Sequence, residues 1–404
     1  MKNFYYLVLF AWVIPGIPVT NAQNVWTQKA DFAGGPRTSC AAFVLGNGAY
    51  VGTGYDSTDF KRSFWMYNPA TNSWTQITSL GGATGAGLGR DAAVGFGIGT
   101  KGYIGTGQGP NPYLNDFWEY NAAFDVWTQK ASFAGTPRRK CVGFSLNGKG
   151  YIGLGQDANG FKNDMWEYDP ANNTWVQKAN FPGTPRQLAV SFESGGLMYV
   201  GLGDDGVNKS DFFAFDPGAN SWVPRASFGG SPRKGAIAFS LNGKGYVGTG
   251  YDNSLSNVAD FWEYNPFANS WATVSPFGGG ARSSAVAVSM GGMGYAGTGY
   301  ENGTRKDWWE FSPPLGLFDK TSLSGGIQIF PNPVVNDARI EIRGDGFVGG
   351  DIEFSVYDLQ GKLVQRFPGN SESRFERAGL KAGGYFLTAV SEGRIIGSVK
   401  IVLI

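Results

Sequence analysis

The residues whose types and spacing could do chemistry are six arginines and a set of acids that follows them at a fixed distance. Arg37, Arg90, Arg138, Arg186, Arg233 and Arg282 recur along the 404-residue chain, and nineteen residues after five of them stand Asp56, Asp157, Asp205, Asp252 and Glu301. After Arg90 that place is Gly109, but Asp91 directly follows the arginine. A carboxylate and an arginine on one face suit a polar sugar or a peptide side chain through charge-assisted hydrogen bonds. The same residues also suit a salt bridge that ties neighbouring loops together. Tyr55, Tyr251 and Tyr300 each stand one residue before the acid, where a ring can stack on a sugar or pack a loop. Asp204-Asp205 is the only adjacent acid pair at this position; it suits general acid–base work or a solvated turn.

Residues that break the pattern are better functional candidates than those that repeat, because folding alone does not demand them. Arg139 and Lys140 follow Arg138, and Lys234 follows Arg233, whereas Ser39, Leu188 and Ser284 occupy the slot of Lys140. The loops Asp56–Arg62 and Gly109–Asn115 are longer or more distinctive than their counterparts. By contrast, Asp116, Asp164, Asp211, Asp260 and Asp307 recur too regularly for catalysis and are expected to accept backbone hydrogen bonds between strands. Gly105-Thr-Gly-Gln-Gly109 resembles a phosphate loop only in its glycines, since no helix follows it.

Composition excludes several chemistries. The chain has no histidine, which removes imidazole metal ligands, histidine general bases and every Ser–His or Cys–His nucleophile pair. A net charge of +1 gives no case for nucleic acid or an acidic membrane surface. No cofactor or metal site is expected, and no catalytic residue is assigned.

The elements that must position these residues are strands. Trp26, Trp74, Trp127, Trp175, Trp222 and Trp271 are spaced 48, 53, 48, 47 and 49 apart, and nine residues before the last five stand Trp65, Trp118, Trp166, Phe213 and Trp262. The fifth unit reads as four strands: an apolar run from Gly235 to Leu241, an Asn242-Gly243 turn, a glycine-rich run from Gly245 to Gly250, an alternating Asp260–Tyr264, and a fourth strand beginning at Trp271. One such sheet cannot bury both faces alone, so six units must pack on one another, and radial closure leaves the fewest edges. Val25–Lys29 matches Val126–Lys130, so the N-terminal segment is expected to supply the outer strand of the sixth unit. Cys40 and Cys141 both lie three residues after their arginine, where other units have Ala93, Ala189, Ala236 and Ala285. They are therefore expected to occupy equivalent slots two units apart, too far for a mutual disulfide.

Glycines after the second strand, then Asp164-Met-Trp-Glu-Tyr-Asp-Pro170, Asn173-Thr-Trp175 and Pro185-Arg186, resemble the kelch repeat. The resemblance runs over about residues 25–318 and implies an all-β, six-bladed propeller. Kelch propellers serve as binding scaffolds, sugar epimerases and copper oxidases, and the absence of histidine argues against the last. These units depart from the family in reading Gly-Thr-Gly or Gly-Leu-Gly where a Gly-Gly pair is usual.

Both ends of the chain speak of export. Lys2 precedes an apolar stretch from Phe4 to Ile14, and Thr20-Asn21-Ala22 offers a cleavage point, which reads as a signal peptide over residues 1–22. The stretch is shorter than the roughly 20 residues a helical span needs, and no other segment supplies one. The propeller is expected over 23–318 and a linker over 319–326. A small antiparallel β-sandwich over 327–404 follows, in which Ala338, Ile340 and Ile342 alternate with polar residues. There Phe330-Pro-Asn-Pro333, Tyr357–Lys362 and Leu380–Phe386 resemble the type IX secretion sorting domain of Bacteroidetes. That resemblance implies contact with the translocation machinery and delivery to the outer-membrane surface or beyond. The expected function is a secreted or surface binding module for a glycan or protein ligand on the loop face. The alternative is a carbohydrate-active enzyme, an epimerase, lyase or hydrolase, using carboxylates, arginine and tyrosine at the same mouth.

Overall fold

A computed structural model describes residues 25–82, 85, 87–110, 113–313, 325–344, 352–358, 363–370, 373–391 and 394–404. The expected signal peptide lies outside the described residues, as do Phe318 and most of the expected linker.

The fifth unit shows why each repeat becomes a sheet. Ile237–Leu241 and Lys244–Gly248 pair antiparallel through a two-residue turn in which Asn242 and Gly243 have φ of 51° and 72°. That is the left-handed pair a tight hairpin requires. Phe261–Asn265 and Ser270–Val274 complete the four strands. The first four blades repeat the order, with inner strands Ala41–Leu45, Val94–Ile98, Val142–Leu146 and Val190–Ser194.

The sixth blade takes its outer strand from the N-terminus, as the tryptophan period predicts. Val286–Met290, Met293–Gly297 and Trp308–Ser312 are joined by Val25–Lys29, with Trp26 opposite Phe311. Trp26 packs its ring 4.7 Å from Phe277 and 5.3 Å from Phe261, and its indole N–H donates to the Ser275 carbonyl at 3.4 Å. Trp74, Trp127, Trp175, Trp222 and Trp271 donate in the same way to Ala30, Thr78, Ala131, Ala179 and Ala226.

Each inner strand touches the next, and the sixth touches the first. Six buried apolar clusters fill the six blade–blade interfaces; Phe43, Phe64, Tyr120 and Trp127, for example, join the first blade to the second. Large rings in these interfaces supply the burial that one twisted sheet cannot obtain alone.

After the propeller, two sheets enclose a separate apolar core. One contains Gly325–Phe330, Asp337–Gly344 and Arg374–Glu376; the other contains Leu363–Gly369, Ile352–Asp358, Gly383–Ser391 and Arg394–Leu403. Ala338, Ile340, Ile352, Phe354 and Val356 point into that core, so the sequence alternation corresponds to a real inner face. The first strand begins at Gly325, two residues inside the expected linker. The Pro-Asn-Pro landmark is a clasp: the Asn332 side chain donates to Lys400 O at 2.8 Å and accepts from Val402 N at 2.9 Å, holding the last strand. No helix among the described residues is long and apolar enough to cross a membrane.

Candidate functional site

The six repeated arginines are struts inside the blades, which corrects the pairing expected from their spacing. Arg37, Arg90, Arg138, Arg186, Arg233 and Arg282 are all at most 3% exposed. Each donates from Nη1 to the carbonyl sixteen residues on: Thr53, Thr106, Leu154, Leu202, Thr249 and Thr298. Five of them grip a carboxylate bidentately, Asp116, Asp164, Asp211, Asp260 and Asp307. These are the aspartates expected to bind backbone, and four also accept an indole N–H, from Trp118, Trp166, Trp262 and Trp309. Burial opposes the charge on Asp164, but the Arg138 and Trp166 hydrogen bonds outweigh it and hold the carboxyl below its ordinary value. Five of the guanidinium groups also lie over a phenylalanine ring, as Arg233 does over Phe228 at 4.9 Å.

The carbonyls that these arginines bind belong to the middle residue of each Gly-x-Gly. Thr53, Thr106, Leu154, Leu202, Thr249 and Thr298 all have positive φ, between 55° and 61°. Glycine takes this conformation without steric cost, whereas threonine or leucine holds it only because neighbours fix it. The arginine bond to that carbonyl is one such constraint.

The acids nineteen residues on are satisfied by lysines, hydroxyls and amides rather than by the arginines. Asp56 pairs with Lys61 at 2.7 Å and accepts from Thr58 N. Asp157, expected opposite Arg138, instead binds Lys162 at 2.9 Å and the Thr136 hydroxyl at 2.7 Å. Asp205 pairs with Lys209 at 2.7 Å, and Asp252 accepts from the Ser231 hydroxyl at 3.0 Å. Glu301 accepts from the Asn257 amide. The Asp204-Asp205 pair is split, because Asp204 turns to Lys234 of the next blade at 3.0 Å. Burial raises the Asp205 carboxyl, yet Lys209 and local hydrogen bonds outweigh it and set the value at about 2. Two anions with separate lysine partners cannot share a proton as an acid–base couple.

The residues that follow each arginine form the rim of the axial channel. One residue beyond each arginine, Thr38, Asp91, Arg139, Gln187, Lys234 and Ser283 pair with Tyr55, Gln108, Gln156, Asp204, Tyr251 and Tyr300 respectively. The start of strand one and the end of strand two thus share a face, as expected. One residue further, Ser39, Ala92, Lys140, Leu188, Gly235 and Ser284 all take left-handed φ of 50–61°. Each N–H donates to the carbonyl of its counterpart in the preceding blade, at 2.8–3.1 Å, and Ser39 closes the circle onto Ser284. A ring of backbone hydrogen bonds therefore frames the mouth.

At the bridged positions and the residues that follow the arginine side of each bridge, charge falls in blades two to five, while Asp56 and Glu301 stand one residue beyond the bridge in blades one and six. Blades two to five bring Asp91, Arg139, Lys140, Asp204 and Lys234, while blades six and one bring Ser283, Ser284, Thr38 and Ser39. Arg139 bridges blades by donating to Gln108 and, at 3.2 Å, to Gln156, with its guanidinium over the Tyr113 ring. Among the described residues the Lys140 ammonium has no hydrogen-bond or ion-pair partner, though it feels charges on blades two, four and five. Burial lowers its pKa, Arg139 and Lys234 lower it further, and Asp91 and Asp204 oppose them. Burial likewise raises the Asp91 carboxyl against the pull of Arg139 and Lys140. Tyr300 is exposed at the rim and Tyr251 half-buried.

Below the ring lies an axial cavity of about 210 Å³, lined by the first residues of all six inner strands. Cys40 and Cys141 line it with Ala93, Ala189, Ala236 and Ala285, and both thiols are free. Burial pushes each thiol up to about 12, so neither ionises near neutral pH.

Gln108, Gln156 and Gln187 were not put forward as rim residues from the sequence, whereas Tyr113 lies in the Gly109–Asn115 loop that was noted as distinctive. The signal for the glutamines was available in the positions that directly follow each arginine and each Gly-x-Gly, which vary from unit to unit.

This fold and mouth define a six-bladed β-propeller followed by a β-sandwich. Residues 36–81, within the first unit, match the family model of the Kelch motif, and residues 328–403 match that of the Secretion system C-terminal sorting domain. The sorting domain indicates export by type IX secretion to the cell surface or the extracellular space. No curated protein sequence matches the chain. Among 344 matching solved chains, the one titled "Structure of YjhT" superposes with a TM-score of 0.60 at 16% identity, over 69% of this chain and 95% of its own. That likeness concerns the fold alone.

Proposed function

We propose that the exported protein is a binding module whose ligand, a glycan or a protein, docks at the arginine-side mouth of the propeller. The observation that supports this reading is the concentration of unrepeated charges, Arg139, Lys140 and Lys234, on one arc of that mouth. The repeated arginines already serve the blades and are too buried to touch a ligand. The test is a glycan and peptide array probed with the exported protein and with a variant carrying Arg139→Glu, Lys140→Glu and Lys234→Glu. Loss of binding with unchanged melting supports the mouth. Unchanged binding moves the site elsewhere, most simply to the opposite face with its Asn-Gly turns.

One observation favours the enzymatic alternative. Asp91 sits at the mouth with its carboxyl raised by burial, the condition a general acid needs. Turnover of an array-identified sugar, lost in Asp91→Asn with binding retained, would establish that reading.

A further inference from the structure

Within the mouth reading, the two arcs of the rim differ in what they can offer a ligand. The charged arc holds an ammonium, Lys140, that has no hydrogen-bond or ion-pair partner among the described residues, and the nearby Asp91 Oδ1 has none either, while the two cations beside them are engaged. Lys234 is taken by Asp204 at 3.0 Å, and Arg139 by two glutamines. Lys140 also occupies the hydrogen-bonded ring itself, in a left-handed conformation, where other blades place Ser39, Ala92, Leu188, Gly235 and Ser284. A charge at that place contributes nothing visible to the fold, since five blades dispense with it.

Gln187 supplies a second, independent observation. It is only 9% exposed, its amide N–H reaches Asp204, and its Oε1 has no hydrogen-bond partner. Asp91 Oδ1 is likewise buried without a donor. Unpaired buried acceptors are costly, so a ligand or water that brings O–H or N–H donors is favoured there. The opposite arc adds four hydroxyls, on Thr38, Ser39, Ser283 and Ser284, and Tyr300 stands exposed beside Ser283. Acceptors wanting donors, hydroxyls and a tyrosine ring match a polyhydroxylated ligand. An acidic peptide side chain would supply the anion but not the hydroxyl donors. The cavity below, about 210 Å³, is small and admits a sugar-sized group rather than a folded loop.

We infer that the mouth binds an acidic saccharide, with Lys140 as the partner of its carboxylate or sulfate and the hydroxyl arc set against the remainder of the sugar. This rests on the binding-module reading and specifies its ligand class.

The experiment measures retention of the exported protein on immobilised uronate-containing and sulfated oligosaccharides, on their carboxyl-reduced or desulfated counterparts, and on oligoglutamate. Lys140→Met and Lys140→Arg are run beside the parent. Retention of an acidic oligosaccharide is expected, with affinity falling about tenfold or more when the sugar's charge is removed or Lys140 becomes methionine, and recovering in the arginine variant. The neutralised sugars make the result independent of whether Lys140→Met folds. Equal retention of charged and neutral sugars overturns the inference, as does preference for oligoglutamate or retention by Lys140→Met equal to that of the parent. Neutral-sugar or peptide binding that is abolished by Arg139→Glu with Lys234→Glu would keep the mouth and discard the acidic sugar. Retention of none of these probes overturns the acidic-saccharide inference; the array result above decides the mouth separately.

Discussion

Arg37 meets Ser63 where every other repeated arginine meets an aspartate, with Nη1 3.3 Å from the hydroxyl. The first blade therefore holds a buried guanidinium without a carboxylate. Burial lowers the Arg37 pKa, and the Trp65 indole N–H, whose equivalents in four other blades bind the aspartate, is buried and unpaired. Ser63→Asp would give Arg37 its carboxylate and the Trp65 indole an acceptor, in a place whose equivalents already hold an aspartate. A gain of about 1–2 kcal/mol is expected, read as a melting temperature higher by a few degrees. No gain, or a loss, would mean that the first blade has adapted to serine.

The converse change should hurt. Asp164→Asn removes the charge facing Arg138, which is 1% exposed and cannot reach water instead. Because Asp164 itself is partly exposed, the loss is expected at about 2–4 kcal/mol, below the full cost of orphaning a buried charge. Chemical denaturation of the two proteins measures it. An effect under about 0.5 kcal/mol would show that the Leu154 carbonyl and the Thr136 groups alone satisfy the guanidinium.

Trp26 is the lock of the ring. Trp26→Ala strips the contacts with Phe239, Phe261, Phe277 and Phe311 and the bond to Ser275, and should cost about 2–4 kcal/mol. Deleting residues 23–29 goes further and leaves the sixth blade with an open edge beside Trp308–Ser312. Light scattering should then report self-association. A monomer that melts like the parent would show that another segment closes the blade.

Removal of residues 327–404 is expected to leave the propeller folded but retained inside the cell envelope. All strands that close the ring lie between Val25 and Ser312, and the sorting match begins at 328. Normal appearance of the truncated protein in the medium would refute the sorting role of that segment.

The fold was legible because its determinants repeat. Tryptophan spacing, the Asn-Gly turn and the duplicated Val-Trp-Thr-Gln-Lys segment are local signals, and they led to blade number and ring closure. The arginine pairing was not legible, for a physical reason. Spacing of nineteen points to Asp157 for Arg138, but the chain runs past that loop and brings Asp164, the residue before strand three, beside the guanidinium. Four of the six repeats offer two carboxylates at these spacings, and only the fold of the blade decides between them. The mouth was half legible: Arg139, Lys140 and Lys234 announced themselves as deviations, whereas Gln187 and Gln156 matter only because the bridge opposite them places them on the rim.

Asp91 gives the mouth a pH signature. Burial raises its carboxyl above the ordinary aspartate value of about 3.9, and Arg139 and Lys140 offset this only in part. A carboxyl raised on folding stabilises the native state fully below its unfolded value, and that contribution disappears as pH climbs through the folded value. Asp205 and Asp164 run the other way, losing stability as pH falls, so the parent protein alone would show a mixture. Comparison with Asp91→Asn cancels the shared groups. The asparagine variant is expected to gain on the parent as pH rises from about 3 toward neutrality, because only the parent must then ionise a buried acid. Melting temperatures of both proteins across that range give the difference directly. A difference that stays constant with pH would mean that Asp91 is fully compensated by Arg139 and Lys140, and the raised acid on which the enzymatic alternative depends would be lost with it.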